Sequence, residues 1–187
     1  MQNRVLIISF SGKENGNSEQ IAELIKANLN AAADIFRFSE NAISPCGSCR
    51  YQCFDDNRMC PHIDDAEYGL LEQISLCDEL YFIVPNYCDY PCANFFIFNE
   101  RSQVYFQGYR ERLMEYEAIP KKFIVISGSD TDNFSRAFDY HCKGEPEMLT
   151  LNAKQYRKHS IAGDLMQSAE ARQAVLEFIG ADLETDK

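Results

Sequence analysis

Three unbroken apolar runs divide the chain: Val5-Leu6-Ile7-Ile8, Leu80-Tyr81-Phe82-Ile83-Val84 and Phe123-Ile124-Val125-Ile126. Strands covered on both faces read this way, whereas half-exposed strands alternate. Ile35-Phe36-Arg37-Phe38 and Met148-Leu149-Thr150-Leu151 are two shorter candidates. Between the strands the apolar period becomes helical. Ile21, Leu24, Ile25 and Leu29 share one face, as do Ala66, Leu70, Leu71 and Ile74. Ala171, Ala174, Val175, Phe178 and Ile179 form a last apolar stripe behind a Ser168 cap. This alternation predicts an α/β fold: a doubly wound, five-stranded parallel sheet with helices on both faces. The expectation is a single domain over 1–187, with an aperiodic Cys-rich loop at about 43–63.

Punctuation residues refine the boundaries. Asp64-x-x-Glu67 reads as a capping box for the second helix. Pro85 is expected to stop the third strand, and Pro91 to open a helix from Cys92 to about Arg101. Residues 108–120 read as a polar surface excursion, Asn133 to His141 as helical, and Asn152 to Ser160 as basic and irregular.

Composition narrows the partners. With 45% apolar and 25% charged residues the chain is globular. A net charge of −11 without a basic run argues against nucleic acid and against anionic membrane. No apolar stretch approaches the roughly 18 residues of a membrane span, and the first strand leaves no room for a signal peptide. A cytoplasmic protein is expected, with its eight Cys as thiols or ligands rather than disulfides.

The chemistry gathers at strand ends. After the first strand come Ser9, Ser11, Gly12, Lys13, Asn15, Gly16, Asn17 and Ser18, then a helix. Open α/β sheets bind ligands at such junctions, and a helix N-terminus favours phosphate. Glu14 after Gly12-Lys13 excludes a Walker A loop, and no G-x-G-x-x-G is present. The loop suits a terminal phosphomonoester held by Ser11, Asn17, Ser18 and backbone N–H groups, with Lys13 adding charge. The alternative is an ordinary polar loop with Ser18 as helix cap. The loops after the third and fourth strands, Asn86 to Pro91 and Ser127 to Asp130, open on the same sheet edge.

Four stretches resemble the flavodoxin-like NAD(P)H-dependent FMN reductases, including their iron–sulfur flavoprotein branch. Ser11-Gly12-Lys13-Glu14-Asn15-Gly16-Asn17-Ser18 is similar to the family's S-P-R-K-N-G-N-T loop. Pro85-Asn86-Tyr87 leading to Phe98-Asn99-Glu100-Arg101 resembles P-x-Y followed by a helix ending F-x-[DE]-R. Ile126-Ser127-Gly128-Ser129-Asp130 resembles a strand ending in a Ser/Thr-Gly loop, and Cys46 to Asp65 a multi-Cys loop before an acidic helix start. The chain departs from the pattern at Phe10, where Gly is common, and at Asp89, where a small residue is usual.

The resemblance implies FMN. Ser9, Ser11, Lys13, Asn17 and Ser18 would hold the phosphate end. Pro85, Asn86, Tyr87, Cys88 and Asp89 would border the ring, and Gly128, Ser129 and Asp130 would face its other edge. It also implies NAD(P)H as donor, a small-molecule or protein acceptor, and a homodimer or homotetramer. The chain's own catalytic side chains are none, since the flavin carries the electrons.

Cys46-x2-Cys49-x3-Cys53-x6-Cys60 places four thiols within 15 residues. Such a run can ligate a [4Fe–4S] cluster, hold Zn²⁺, or stay as free thiols. Two rivals to the reductase follow. One is an FMN and iron–sulfur electron carrier without its own NAD(P)H activity. The other is a flavin-free flavodoxin-like binding module.

Overall fold

A computed structural model of the chain describes residues 3–47, 49–130 and 135–181. The strands are β1 (Arg4–Ser9), β2 (Ala32–Arg37), β3 (Glu79–Tyr87), β4 (Tyr90–Pro91), β5 (Lys121–Ser127) and β6 (Glu147–Asn152). Five of them run parallel in the order β2-β1-β3-β5-β6, while β4 turns back antiparallel on the end of β3. Leaving β4 aside, this is the flavodoxin order, with its switch point between β1 and β3. In register, Ile7 lies between Ile35 and Tyr81, and Phe82 between Ile8 and Phe123.

Two cores lie against the sheet. On one face α1 (Asn17–Asn28) and α5 (Ala169–Phe178) bury Ile21, Ile25, Ala171 and Val175 against Val5, Ile7, Tyr81 and Ile124. On the other face α2 (Ala66–Ile74), α3 (Ala93–Phe106) and α4 (Arg110–Ala118) cover a core dense in aromatic rings. Phe10 is fully buried there, stacked on Phe38 at 5.0 Å and edge-on to Phe82, Phe95 and Phe98. Its ring turns into the core, which explains how a large residue sits where a Gly is common without filling the loop.

Several boundaries differ from expectation. Pro85 does not stop β3, which runs two residues further. The N and O of a strand residue point the same way, and the Pro85 carbonyl accepts from Cys92 N at 3.0 Å on the β4 side. Phe10 N still donates to the Ile83 carbonyl at 3.0 Å, and the next rung, from residue 85 to the Phe10 carbonyl, is replaced by Asn94 Nδ2 at 2.9 Å and the Cys92 thiol. Pro91 lies in β4, and α3 starts behind a Cys92 N-cap. The cap of α2 is Asp65, not Asp64, accepting from Glu67 N at 3.1 Å. The excursion at 108–120 contains α4. Of the expected helix at 133–141, short 3-10 turns stand at Ser135–Ala137 and Asp139–His141, and its first two residues lie outside the described residues. The 43–63 loop carries two more 3-10 turns, Gln52–Phe54 and Asn57–Met59.

Glu67 on α2 is fully buried, and neither carboxyl oxygen has a hydrogen-bond partner among the described residues. Burial pushes its carboxyl up to about 9, against the pull of Arg101. The folded chain thus keeps a proton there that the unfolded chain releases above pH 4.5. Stability from this group is complete below pH 4.5 and falls as pH rises towards 9. Glu67→Gln keeps the shape without the titration. It is expected to flatten the alkaline loss and to stabilise at pH 8 by on the order of 3 kcal/mol. Urea unfolding across pH measures this, and parallel profiles for the two proteins would rule out a protonated Glu67.

Candidate functional site

The loop after β1 runs from a buried strand end to the start of α1. Ser9 follows Val5 and Ile7 on the α1 face, and its hydroxyl is buried with no partner among the described residues. Gly16 is the N-cap of α1 and offers no side-chain cap, so Ser18 is not the capping residue. The first-turn N–H groups are therefore not satisfied by a cap, and they carry the positive end of the helix dipole. Ser11 and Ser18 are nearly buried beside them, and Ser11 Oγ accepts from Lys13 N at 3.1 Å.

Lys13 and Asn17 have other partners. Lys13 Nζ donates to the Ile161 carbonyl at 2.8 Å. Asn17 Nδ2 donates to the Ser160 carbonyl at 2.9 Å, and its Oδ1 accepts from Leu165 N at 2.9 Å. Both side chains pin the segment after β6 onto the loop. The groups left without these cross-links at the start of α1 are the Ser11 and Ser18 hydroxyls and the backbone N–H groups of its first turn.

The second loop is a tight hairpin. Tyr87 pairs with Tyr90, and the two residues between them, Cys88 and Asp89, have φ of 52° and 66°. Left-handed conformation at both positions is the requirement of a type I′ turn, which Asn-Gly meets more easily. The cost is about 1–2 kcal/mol for each residue. The hairpin is tied to the third loop. Asn86 Nδ2 donates to Ser127 Oγ at 3.0 Å, and Ser129 Oγ donates to Asp89 Oδ1 at 2.6 Å. Asn86 Oδ1 is buried and without a partner among the described residues. Tyr87 and Tyr90 are exposed at the hairpin. Cys92, just behind, is held as a thiol: burial pushes it up to about 11.

A fourth segment, 152–161, joins the edge. Ala153 N donates to the Ser127 carbonyl at 2.9 Å, and the Asn152 amide bonds Asp130. A Cβ on Gly128 would stand 3.0 Å from Ser160 Oγ, so any side chain there would make Ser160 shift. Asn152 and Ser160 were not read as site residues. The signal available was the position of Asn152 at the carboxyl end of the fifth strand.

The Cys-rich loop lies elsewhere, over α2 and α3. Cys53 and Cys60 are buried on Val104, whereas Cys46 and Cys49 are half-buried. Burial and then neighbouring thiols raise Cys53, and burial, Glu100 and the same thiols raise Cys46. Cys53 is thus the thiol within electrostatic reach of the other three. Among the described residues no three His, Cys, Asp or Glu side chains are grouped to hold a metal ion, and the thiols as they stand do not form a cluster cage.

Arg101 clasps this loop. It is almost fully buried; Nη1 donates to the Ser44 carbonyl and Asp65 Oδ2 at 2.7 Å each, and Nη2 to the His62 carbonyl at 3.2 Å. Burial works against ionisation of Asp65, but Arg101 and the N–H groups of Ser44 and Glu67 hold its carboxyl below the usual range.

Sheet order and converging loops together define a flavodoxin-like fold. No protein-family model matches the chain, and no curated protein does. Solved structures share the fold. Smu.1420 from Streptococcus mutans UA159 superposes with a TM-score of 0.67 at 10% identity, covering 95% of this chain and 99% of that one. An FMN-dependent NADH-azoreductase from Bacillus anthracis str. Ames Ancestor, in complex with FMN, gives 0.66 at 10% identity over 95% and 98%. The flavoenzyme FerB, an NAD(P)H:(acceptor) oxidoreductase from Paracoccus denitrificans, gives 0.57 at 10% identity over 97% of each chain. Among the described residues no helix is long and apolar enough to cross a membrane.

Proposed function

We propose that this chain is an FMN-binding oxidoreductase of the cytoplasm that moves electrons from NAD(P)H to a small-molecule or protein acceptor. The observation that carries the proposal is the α1 N-terminus. It lacks a side-chain cap, carries buried Ser18 in its first turn, and follows the buried Ser11 and the Ser9 hydroxyl, which has no partner among the described residues. That set fits a phosphate monoester. FMN-binding and NAD(P)H-using proteins among the fold neighbours support it.

Bound FMN supplies hydride acceptance and electron release. The chain's residues bind and orient it. Ser11 and Ser18 would donate hydroxyl hydrogen bonds to its phosphate, and the first-turn N–H groups of α1 would complete the cradle. The Asn86–Ser127 and Asp89–Ser129 bonds lock two loops together as borders for the ring. Asp89 and Asp130 make that border acidic, which disfavours an anionic reduced flavin. The exposed ring of Phe96 on α3 is a candidate contact for a homodimer or homotetramer.

An anaerobic absorption spectrum, with iron and acid-labile sulfide assays and an FMN titration, tests the reading. Flavin bands that bleach with NADPH or NADH, without iron, are expected. Colourless protein that fails to take up added FMN would sink it and leave the binding module, which the engagement of Lys13 and Asn17 favours. Iron and sulfide with no NAD(P)H oxidation would favour the carrier, whose cluster requires Cys46, Cys49, Cys53 and Cys60 to draw together. The electrostatic reach of Cys53 to the other three thiols is the observation on its side.

A further inference from the structure

The 152–161 segment carries charge that the three recognised loops lack, and we infer that it selects NADPH over NADH by holding the 2′-phosphate on Lys154 and Arg157. This rests on the FMN reading. A hydride donor must lay its nicotinamide on the ring, so its adenosine end leaves across one of the walls. Residues 86–92 and 127–130 contain no Lys or Arg. Their carboxylates, Asp89 and Asp130, repel a phosphate dianion. On the β1 loop Lys13 is spent on the Ile161 carbonyl.

The fourth wall is the opposite. Lys154, Arg157 and Lys158 fall within five positions, in a chain of net charge −11. Lys158 is paired to Asp164 at 3.7 Å. Lys154 and Arg157 are exposed and are in no ion pair among the described residues. Glu170, already bonded by Ser168 Oγ, lies within electrostatic reach of Arg157 without pairing.

The backbone that presents these cations is fixed. Arg157 N donates to the Lys154 carbonyl at 3.0 Å, and Lys158 N to the Ala153 carbonyl at 2.9 Å. The ends are held by Asn152 to Asp130 and by Asn17 to Ser160. Arg157 itself has φ of 55°, a position that stability alone would give to Gly or Asn. A strained residue in a rigid turn beside a binding edge points to a role for its side chain. Guanidinium is also the group best shaped to grip a phosphate through two parallel hydrogen bonds.

The test uses 2′,5′-ADP against 5′-AMP, by titration calorimetry on the full chain, with a separate FMN titration by flavin fluorescence. The wild type is expected to bind 2′,5′-ADP about tenfold tighter. Lys154→Gln with Arg157→Gly should cut that preference to under about threefold while keeping FMN affinity. Arg157→Gly also relieves the backbone, so a purely structural turn would gain stability and keep the preference. Arg136→Ala, an exposed cation on the neighbouring connection, should leave the preference unchanged. Equal binding of the two nucleotides by the wild type, or an undiminished preference in the double variant, overturns the inference. Failure of the FMN titration sinks the reading beneath it and is seen separately.

Discussion

Arg101→Met is expected to destabilise the fold by about 3–5 kcal/mol, because removing one partner strands a buried charge. The stranded group is Asp65, which also caps α2 and receives Ser44 N at 3.0 Å. Arg101 holds both ends of the Cys-rich loop, through Ser44 and His62, so the same change should free the loop. Cys53 and Cys60, buried on Val104, should then react faster with a thiol reagent. Urea unfolding gives the stability and the reagent's rate gives the opening. A loss under about 1 kcal/mol with unchanged thiol rates would mean that the loop is held by packing alone. Adding Asp65→Asn should recover part of the loss, since the two residues form one network.

The sheet was legible because its strands are covered on both faces, which leaves continuous apolar runs. The α4 helix was not, and the reason is local. Only Tyr116 of its residues is buried, while Leu113 and Met114 face outward, so no apolar stripe marks it. Pro85 is misleading because the carbonyl its N–H would reach, that of Phe10, is satisfied by Asn94 and Cys92 from the start of α3. Sequence does not show that side chains from another element stand in for a missing rung.

The site was legible in its loops and less so in its partners. Ser11 and Ser18 stand out in the sequence by their place at a strand-to-helix junction. Lys13 and Asn17 were read as phosphate ligands from the same junction. Their actual partners, Ile161, Ser160 and Leu165, lie more than 140 positions along the chain, and no local pattern announces them. Asn152 to Ser160 reads as basic and irregular for the same reason. Its hydrogen bonds to Ser127, Asp130 and Asn17 exist only once the sheet has formed.

Ser11→Ala with Ser18→Ala is expected to weaken FMN binding by roughly two to four powers of ten. A hydrogen bond to a charged group contributes about 1.5–3 kcal/mol, and two are removed. The fold should tolerate the change. Gly16, not Ser18, is the N-cap of α1, so the helix loses no side-chain cap. Ser11 accepts one part-buried bond from Lys13 N, and Lys13 itself is exposed, so water can replace it. Lys13→Ala and Asn17→Ala make the contrast. Both side chains bond the 160–165 segment, so their loss should show in thermal stability more than in FMN affinity. Fluorescence titration with FMN, alongside thermal unfolding of each variant, separates the two. If Lys13→Ala costs more FMN affinity than the serine pair, the cradle is cationic rather than built from hydroxyls and backbone N–H groups. The segment after β6 must then swing away from Lys13 when the phosphate binds.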